Sequence, residues 1–224
     1  MSDATRWCEN PVDLFTLASV ALADTLPPRV DAAYLFGHSR PQWRPILESG
    51  LRLFTLRQAS VLCLCGGAPY VSPQAPAGSP ASYSFPQWRD FLLERHVPKG
   101  CIHEISRPEL SHAGTEARNF VEHAKAQGWE SACFVSYLPQ ALRAFANMVT
   151  WVLRMHPSLR IYAAPAAPPG QWTATTTLWQ GIVEEPHMSA FAGEYERIER
   201  DFRQRDIVSG AAVLAWWRSR DAQA

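Results

Sequence analysis

Neither sign of charge is in excess in this 224-residue chain: Lys+Arg and Asp+Glu are both 21, so the formal charge is zero. A binder that grips nucleic acid through broad counterion release needs a basic excess, and that class is set aside. No apolar run approaches the ~18–20 residues of a membrane span. The opening Met1-Ser2-Asp3-Ala4-Thr5-Arg6 lacks a basic region followed by an apolar core, and no secretory leader is expected. Several motifs are also missing. There is no G-x-G-x-x-G, no G-x-x-x-x-G-K-[ST] and no G-x-S-x-G, so standard dinucleotide, P-loop and nucleophile-elbow sites have no support. The seven His show neither H-x-x-x-H nor H-E-x-x-H spacing, and no metal motif is found. The five Cys are odd in number and sit mostly in apolar segments, which fits free thiols in a reducing cytoplasm.

What is present is a globular composition, 47% hydrophobic and 19% charged, at a length that suits one domain with a real core. Apolar runs alternate with helical periodicity along most of it. Strands are read at 32–36, 60–65, 101–105, 131–135 and 159–164. Helices are read at 11–26, 42–57, 86–96, 115–127 and 138–155. Tight-hairpin signals are almost absent. The pattern predicts an α/β, Rossmann-like fold of about five mostly parallel strands with helices on both faces. The core spans about 30–165. A C-terminal helical extension at about 173–219 packs on the same domain, with Phe191, Tyr195, Ile198 and Phe202 as one apolar stripe and Ser209 capping a last helix. Trp216 and Trp217 suit helix packing or a homodimer contact. No linker or repeat divides the chain, which reads as a single domain over 1–224. The Pro/Ser/Ala/Gly-rich stretch 68–84 is long enough for a lid.

In such sheets ligands gather at the carboxyl ends of strands, where helix amino-termini and free N–H groups converge. Gly37-His38-Ser39-Arg40 follows the first strand, and Arg40 with the helix behind it suits an anion. Gly66-Gly67 follows the second strand as a close-approach loop. Ser111-His112 and Thr115-Glu116 open a helix, where Glu116 is suited to act as a base or a polar anchor. The macrodipole alone also favours an acid there. Ser136-Tyr137 ends the fourth strand. Gln140, Arg143 and Asn147 then fall at i, i+3 and i+7 as a polar stripe, with Arg143 near enough to the ligand edge to hold an anion.

The order and spacing of these pieces resemble the domain-of-unknown-function 218 family, in its short cytoplasmic form. The likeness rests on Leu35-Phe36-Gly37, on Val61-Leu62-Cys63-Leu64-Cys65-Gly66-Gly67, on Ser111 to Ala117, and on Ser136 through Arg143-Ala144. It extends to Gly193-Glu194-Tyr195-Glu196-Arg197-Ile198 with Arg205-Asp206-Ile207. The chain departs from the family at Gln140, where many members have His, and at His112-Ala113, where an asparagine is usual. The resemblance implies a Rossmann-like fold with a pocket and transfers no single reaction.

The expectation is a cytoplasmic enzyme that binds an anionic small molecule, nucleotide-like or adenosyl-containing such as adenosylmethionine. It would carry out group transfer or hydrolysis, with Glu116 and Ser136 as catalytic candidates. Gly37, Gly66 and Gly67 would be backbone donors, and Arg40 and Arg143 anion contacts. Ser111 and Thr115 would orient the ligand. The alternatives are a non-catalytic ligand-binding or regulatory module with the same pocket, and a scaffold that recruits a partner through its Trp-rich tail.

Overall fold

The computed structural model describes residues 6–37, 43–66, 85–105, 112–164, 166, 175–177 and 184–223. Five strands form an all-parallel sheet: β1 (Val30–Leu35), β2 (Ala59–Cys65), β3 (Ile102–Ile105), β4 (Ser131–Val135) and β5 (Arg160–Ala163), in the order β3-β2-β1-β4-β5. The helices are α1 (Pro11–Ala23), α2 (Trp43–Thr55), α3 (Phe85–Leu93), α4 (Ala113–Gln127), α5 (Ala141–Met155), α6 (His187–Arg203) and α7 (Gly210–Arg220). This is the Rossmann-like α/β arrangement that the alternating periods predict.

The faces of β1 show why both sides of the sheet need helices. Successive strand residues point to opposite faces. Ala32, Tyr34 and Phe36 enter one core with α1, α4, α5 and α7, while Ala33 and Leu35 enter the other with α2 and α3. All five residues are fully buried. A strand buried on both faces reads as a continuous apolar run, as Ala32–Phe36 does.

Several boundaries differ from the sequence reading for local reasons. The helix expected from residue 138 opens as a 3₁₀ turn over Leu138–Gln140, and regular α-helix starts at Ala141. Pro139 sits in that turn, where its missing N–H costs nothing. The helix expected to reach residue 96 stops at Leu93 because His96 turns into the left-handed region at φ 63°. The N–H groups of His96 and Val97 close that end on the carbonyls of Leu93 and Leu92. The C-terminal region is not wholly helical: β6 (Thr175–Thr177) and β7 (Glu184–Pro186) pair antiparallel ahead of α6.

The C-terminal helices pack on the same core. Trp216 meets the ring of Phe145 edge-on at 6.2 Å. The chain start is tied to this region as well: Trp7 donates its indole N–H to the Val208 carbonyl at 2.9 Å, and its carbonyl accepts from Gly210 at 2.8 Å. All five cysteines are unpaired. Burial pushes the Cys63 and Cys133 thiols up, Cys133 to about 12, which keeps them protonated and inert. Among the described residues no helix is long and apolar enough to cross a membrane.

Candidate ligand site at the switch point of the sheet

The strand order reverses between β1 and β4. The chain leaves β1 towards β2 and β3, and α4 then carries it back across the opposite face to β4. Loops after two such strands diverge to opposite faces and leave a crevice between them, which is where open α/β sheets take ligands. Leu35 pairs with Val135, and the Phe36 N–H donates to the Val135 carbonyl at 2.9 Å, so Gly37 and Ser136 end neighbouring strands.

On the β4 side, two buried polar side chains each carry an atom with no hydrogen-bond partner among the described residues. Ser136 is 0% exposed and Gln140 is 8% exposed. Neither Ser136 Oγ nor Gln140 Oε1 has a hydrogen-bond partner. A buried polar atom left unsatisfied costs about 1–3 kcal/mol. Native proteins leave few such atoms, and here two lie within five residues of each other at the switch point. A serine activated as a nucleophile is hydrogen-bonded to its base; Ser136 is bonded to none.

On the β1 side, Glu116 reaches the strand end from the first turn of α4. Its Oε2 accepts from the Gly37 N–H at 2.9 Å and from the Tyr34 hydroxyl at 2.9 Å. Glu116 is 8% exposed, and burial together with its charge holds the Tyr34 hydroxyl well above its ordinary pKa. Glu116 therefore fixes the exit of β1. Gly37 donates its N–H to that carboxylate, and Gly66 donates its own to the Ile105 carbonyl at 2.7 Å. Of the three N–H groups expected to face a ligand, those of Gly37 and Gly66 are engaged within the protein.

His112 and Thr115 act as a pair at the α4 amino-terminus. The His112 ring caps the helix by accepting from the Thr115 N–H at 3.4 Å, and its other nitrogen lies 3.0 Å from Thr115 Oγ1. Tyr137 is buried beside Ser136 among the α2 and α3 side chains. His38, Ser39, Arg40, Gly67 and Ser111 lie outside the described residues, as does the proposed lid at 68–84.

The polar stripe of α5 is covered. Asn147 is 2% exposed and donates to the Arg143 carbonyl at 2.8 Å. Gly114 lets α4 approach here, since a Cβ on it would stand 2.9 Å from Asn147 Oδ1. Arg143 donates its Nε–H to Glu194 of α6 at 2.5 Å, and Glu194 also accepts from Arg197. Two guanidiniums thus share the Glu194 carboxylate one turn along α5 from Gln140.

Tyr34, Glu194 and Arg197 belong to this site and were not singled out as site residues in the sequence. Glu194 did carry a signal. It falls three residues after Phe191 and four before Ile198, on the flank of the stripe that α6 buries, where a carboxylate needs a cation. Among the described residues no group of three or more His, Cys, Asp or Glu could hold a metal ion. No family model matches this chain, and no curated protein matches it.

Proposed function

We propose that this protein binds an anionic small molecule in the crevice between β1 and β4 and acts on it by group transfer or hydrolysis. The observation that carries this reading is the pair of buried, unpartnered atoms Ser136 Oγ and Gln140 Oε1 at the end of β4. Gln140 Oε1 is an acceptor, so the ligand brings a hydroxyl or an N–H to it. The Ser136 hydroxyl can donate or accept. The Arg143 guanidinium, one turn along α5 from Gln140, supports an anionic group on the same molecule. A nucleotide or an adenosyl-containing compound such as adenosylmethionine meets these requirements, with the ring or ribose polar groups at Ser136 and Gln140. The resemblance to the domain-of-unknown-function 218 family supports the same crevice. Five unpaired thiols support work in the cytoplasm.

A second reading, binding without turnover, has its own support. Glu116 already accepts from Tyr34 and Gly37, and no base holds the Ser136 proton. In this reading Glu116 is an anchor for β1 and Ser136 a ligand contact.

A thermal-shift screen against nucleotides, sugar nucleotides, adenosylmethionine and phosphosugars tests the crevice. A ligand at ~100 times its dissociation constant adds roughly 2.7 kcal/mol of stability. The wild type should respond to one class, and Ser136→Ala and Gln140→Leu should lose the response. A response that both variants retain overturns the reading. Incubation with the responding ligand, followed by product analysis, then separates turnover from binding.

A further inference from the structure

The opposite edge of the sheet carries a second concavity, formed where β1, β2 and β3 begin. It is a half-open cleft of about 620 Å³ between the carboxyl end of α2 and the turn after α3. Its floor is apolar, with Leu51 and Phe54 from α2 and Val97 ahead of β3, and its rim carries Arg29, Arg57, Arg95 and His96. Among the described residues no acidic one lines it. In a chain with no net charge, three guanidiniums facing one cleft without a carboxylate among them form a local excess.

Two of the guanidiniums, those of Arg29 and Arg95, are hydrogen-bonded to neutral groups. Arg29 donates from Nε and Nη2 to Ser60 Oγ at 3.2 and 3.0 Å. Arg95 donates to the Phe91 carbonyl at 3.0 Å and lies over the Phe91 ring at 3.5 Å. The acid nearest to it, Glu94, stands 3.7 Å away and is 76% exposed, where a pair is worth little. Arg57 makes no ion pair among the described residues. Two of the rim residues also sit in the left-handed backbone region, Arg57 at φ 58° and His96 at φ 63°. Each closes a helix end that glycine would close with less strain, and each directs a basic side chain to the same cleft.

We propose that this cleft binds a phosphate ester with an apolar body, the phosphate among Arg29, Arg57 and Arg95 and the body on Leu51 and Phe54. A phosphate monoester carries nearly two negative charges near neutral pH and offers several acceptor oxygens to forked guanidiniums. A single carboxylate would leave most of the excess unmatched. The cleft lies at the starts of the strands, away from Ser136 and Gln140, and the proposal stands independently of the ligand proposed there.

The test is an amide NMR titration of the full chain with phenyl phosphate and, separately, with inorganic phosphate. Phenyl phosphate should move the amides of Arg57, Ser60 and His96 saturably and leave those of Gly37 and Ser136 in place. It should bind roughly tenfold more tightly than inorganic phosphate because of the buried ring. Arg57→Gly keeps the helix end, since glycine suits its backbone, and should weaken phenyl phosphate binding roughly tenfold. No saturable shift, shifts confined to Gly37 and Ser136, or unchanged binding by Arg57→Gly would each overturn the proposal. Equal affinity for the two probes would overturn the apolar half of it.

Discussion

The carboxylate of Glu116, on α4, accepts a hydrogen bond from the hydroxyl of Tyr34, on β1, at 2.9 Å across 82 residues of sequence. The same oxygen accepts from the Gly37 N–H. One buried side chain thus sets where β1 ends and where the crevice begins. A bond to a charged partner in a buried setting is worth more than the ordinary one. Tyr34→Phe keeps the ring packing on Phe36 and Phe120 and removes only the hydroxyl. It should cost about 2 kcal/mol, read by urea denaturation, with the melting temperature lower by roughly 4–8 °C. An unchanged midpoint would mean that Glu116 is held without it.

Arg143 and Glu194 should respond unequally to truncation. Arg143→Ala leaves Glu194 paired with Arg197, whereas Glu194→Ala leaves two mostly buried guanidiniums side by side. Breaking a buried pair in that sense costs about 3 kcal/mol, and Arg143→Ala should cost clearly less. Added phosphate or sulfate should restore more stability to Glu194→Ala than to the wild type, because it replaces the lost carboxylate. Equal losses in the two variants would show that the trio acts as isolated surface pairs.

Gly66 is required by a close approach of backbone. A Cβ there would stand 2.7 Å from the Ile105 carbonyl oxygen and 2.8 Å from Glu104 Cγ. The carbonyl belongs to a parallel strand and cannot turn aside without breaking the 2.7 Å bond it accepts from Gly66. Gly66→Ala should cost about 1–3 kcal/mol in chemical denaturation. Gly100→Ala, with nothing within 4 Å of the added carbon, is the control and should change stability little.

Stability should rise with pH through the weakly acidic range because of a histidine pair. His103 of β3 and His123 of α4 approach nitrogen to nitrogen at 3.2 Å beside Trp129. Burial, and then the neighbouring His103, hold the His123 pKa below its ordinary 6.5. Between that lowered value and 6.5 the unfolded chain binds more protons than the folded one, so stability climbs with pH and levels off above. The urea midpoint should fall as pH drops through this window, and His123→Gln should flatten the dependence. An identical slope in the variant would assign it to other groups.

The strands and core helices are legible because each carries a period set by the backbone. Ala32–Phe36 and Ser131–Val135 read as continuous apolar runs because both faces of the sheet are covered. The β6–β7 pair is not legible, since each strand has three residues, too few for a period to register. At the site, Ser136 and Gln140 stand where strand-end reasoning looks for ligand contacts. Their lack of partners follows from what packs around them, and no spacing encodes it. The partners of Glu116 and Arg143 lie 82 and 51 residues away. Periodicity marks the positions of such groups, and the topology of the chain decides whom they meet.

The proposed ligand role of the buried, unbonded Gln140 Oε1 is tested most directly by Gln140→Leu without any ligand present. Leucine removes the orphan acceptor at nearly constant volume. The variant's stability in urea should exceed that of the wild type by about 1 kcal/mol, and stabilisation by whichever ligand class shifts the wild type should be lost. A variant that is less stable than the wild type and still responds to that ligand would contradict the proposed role.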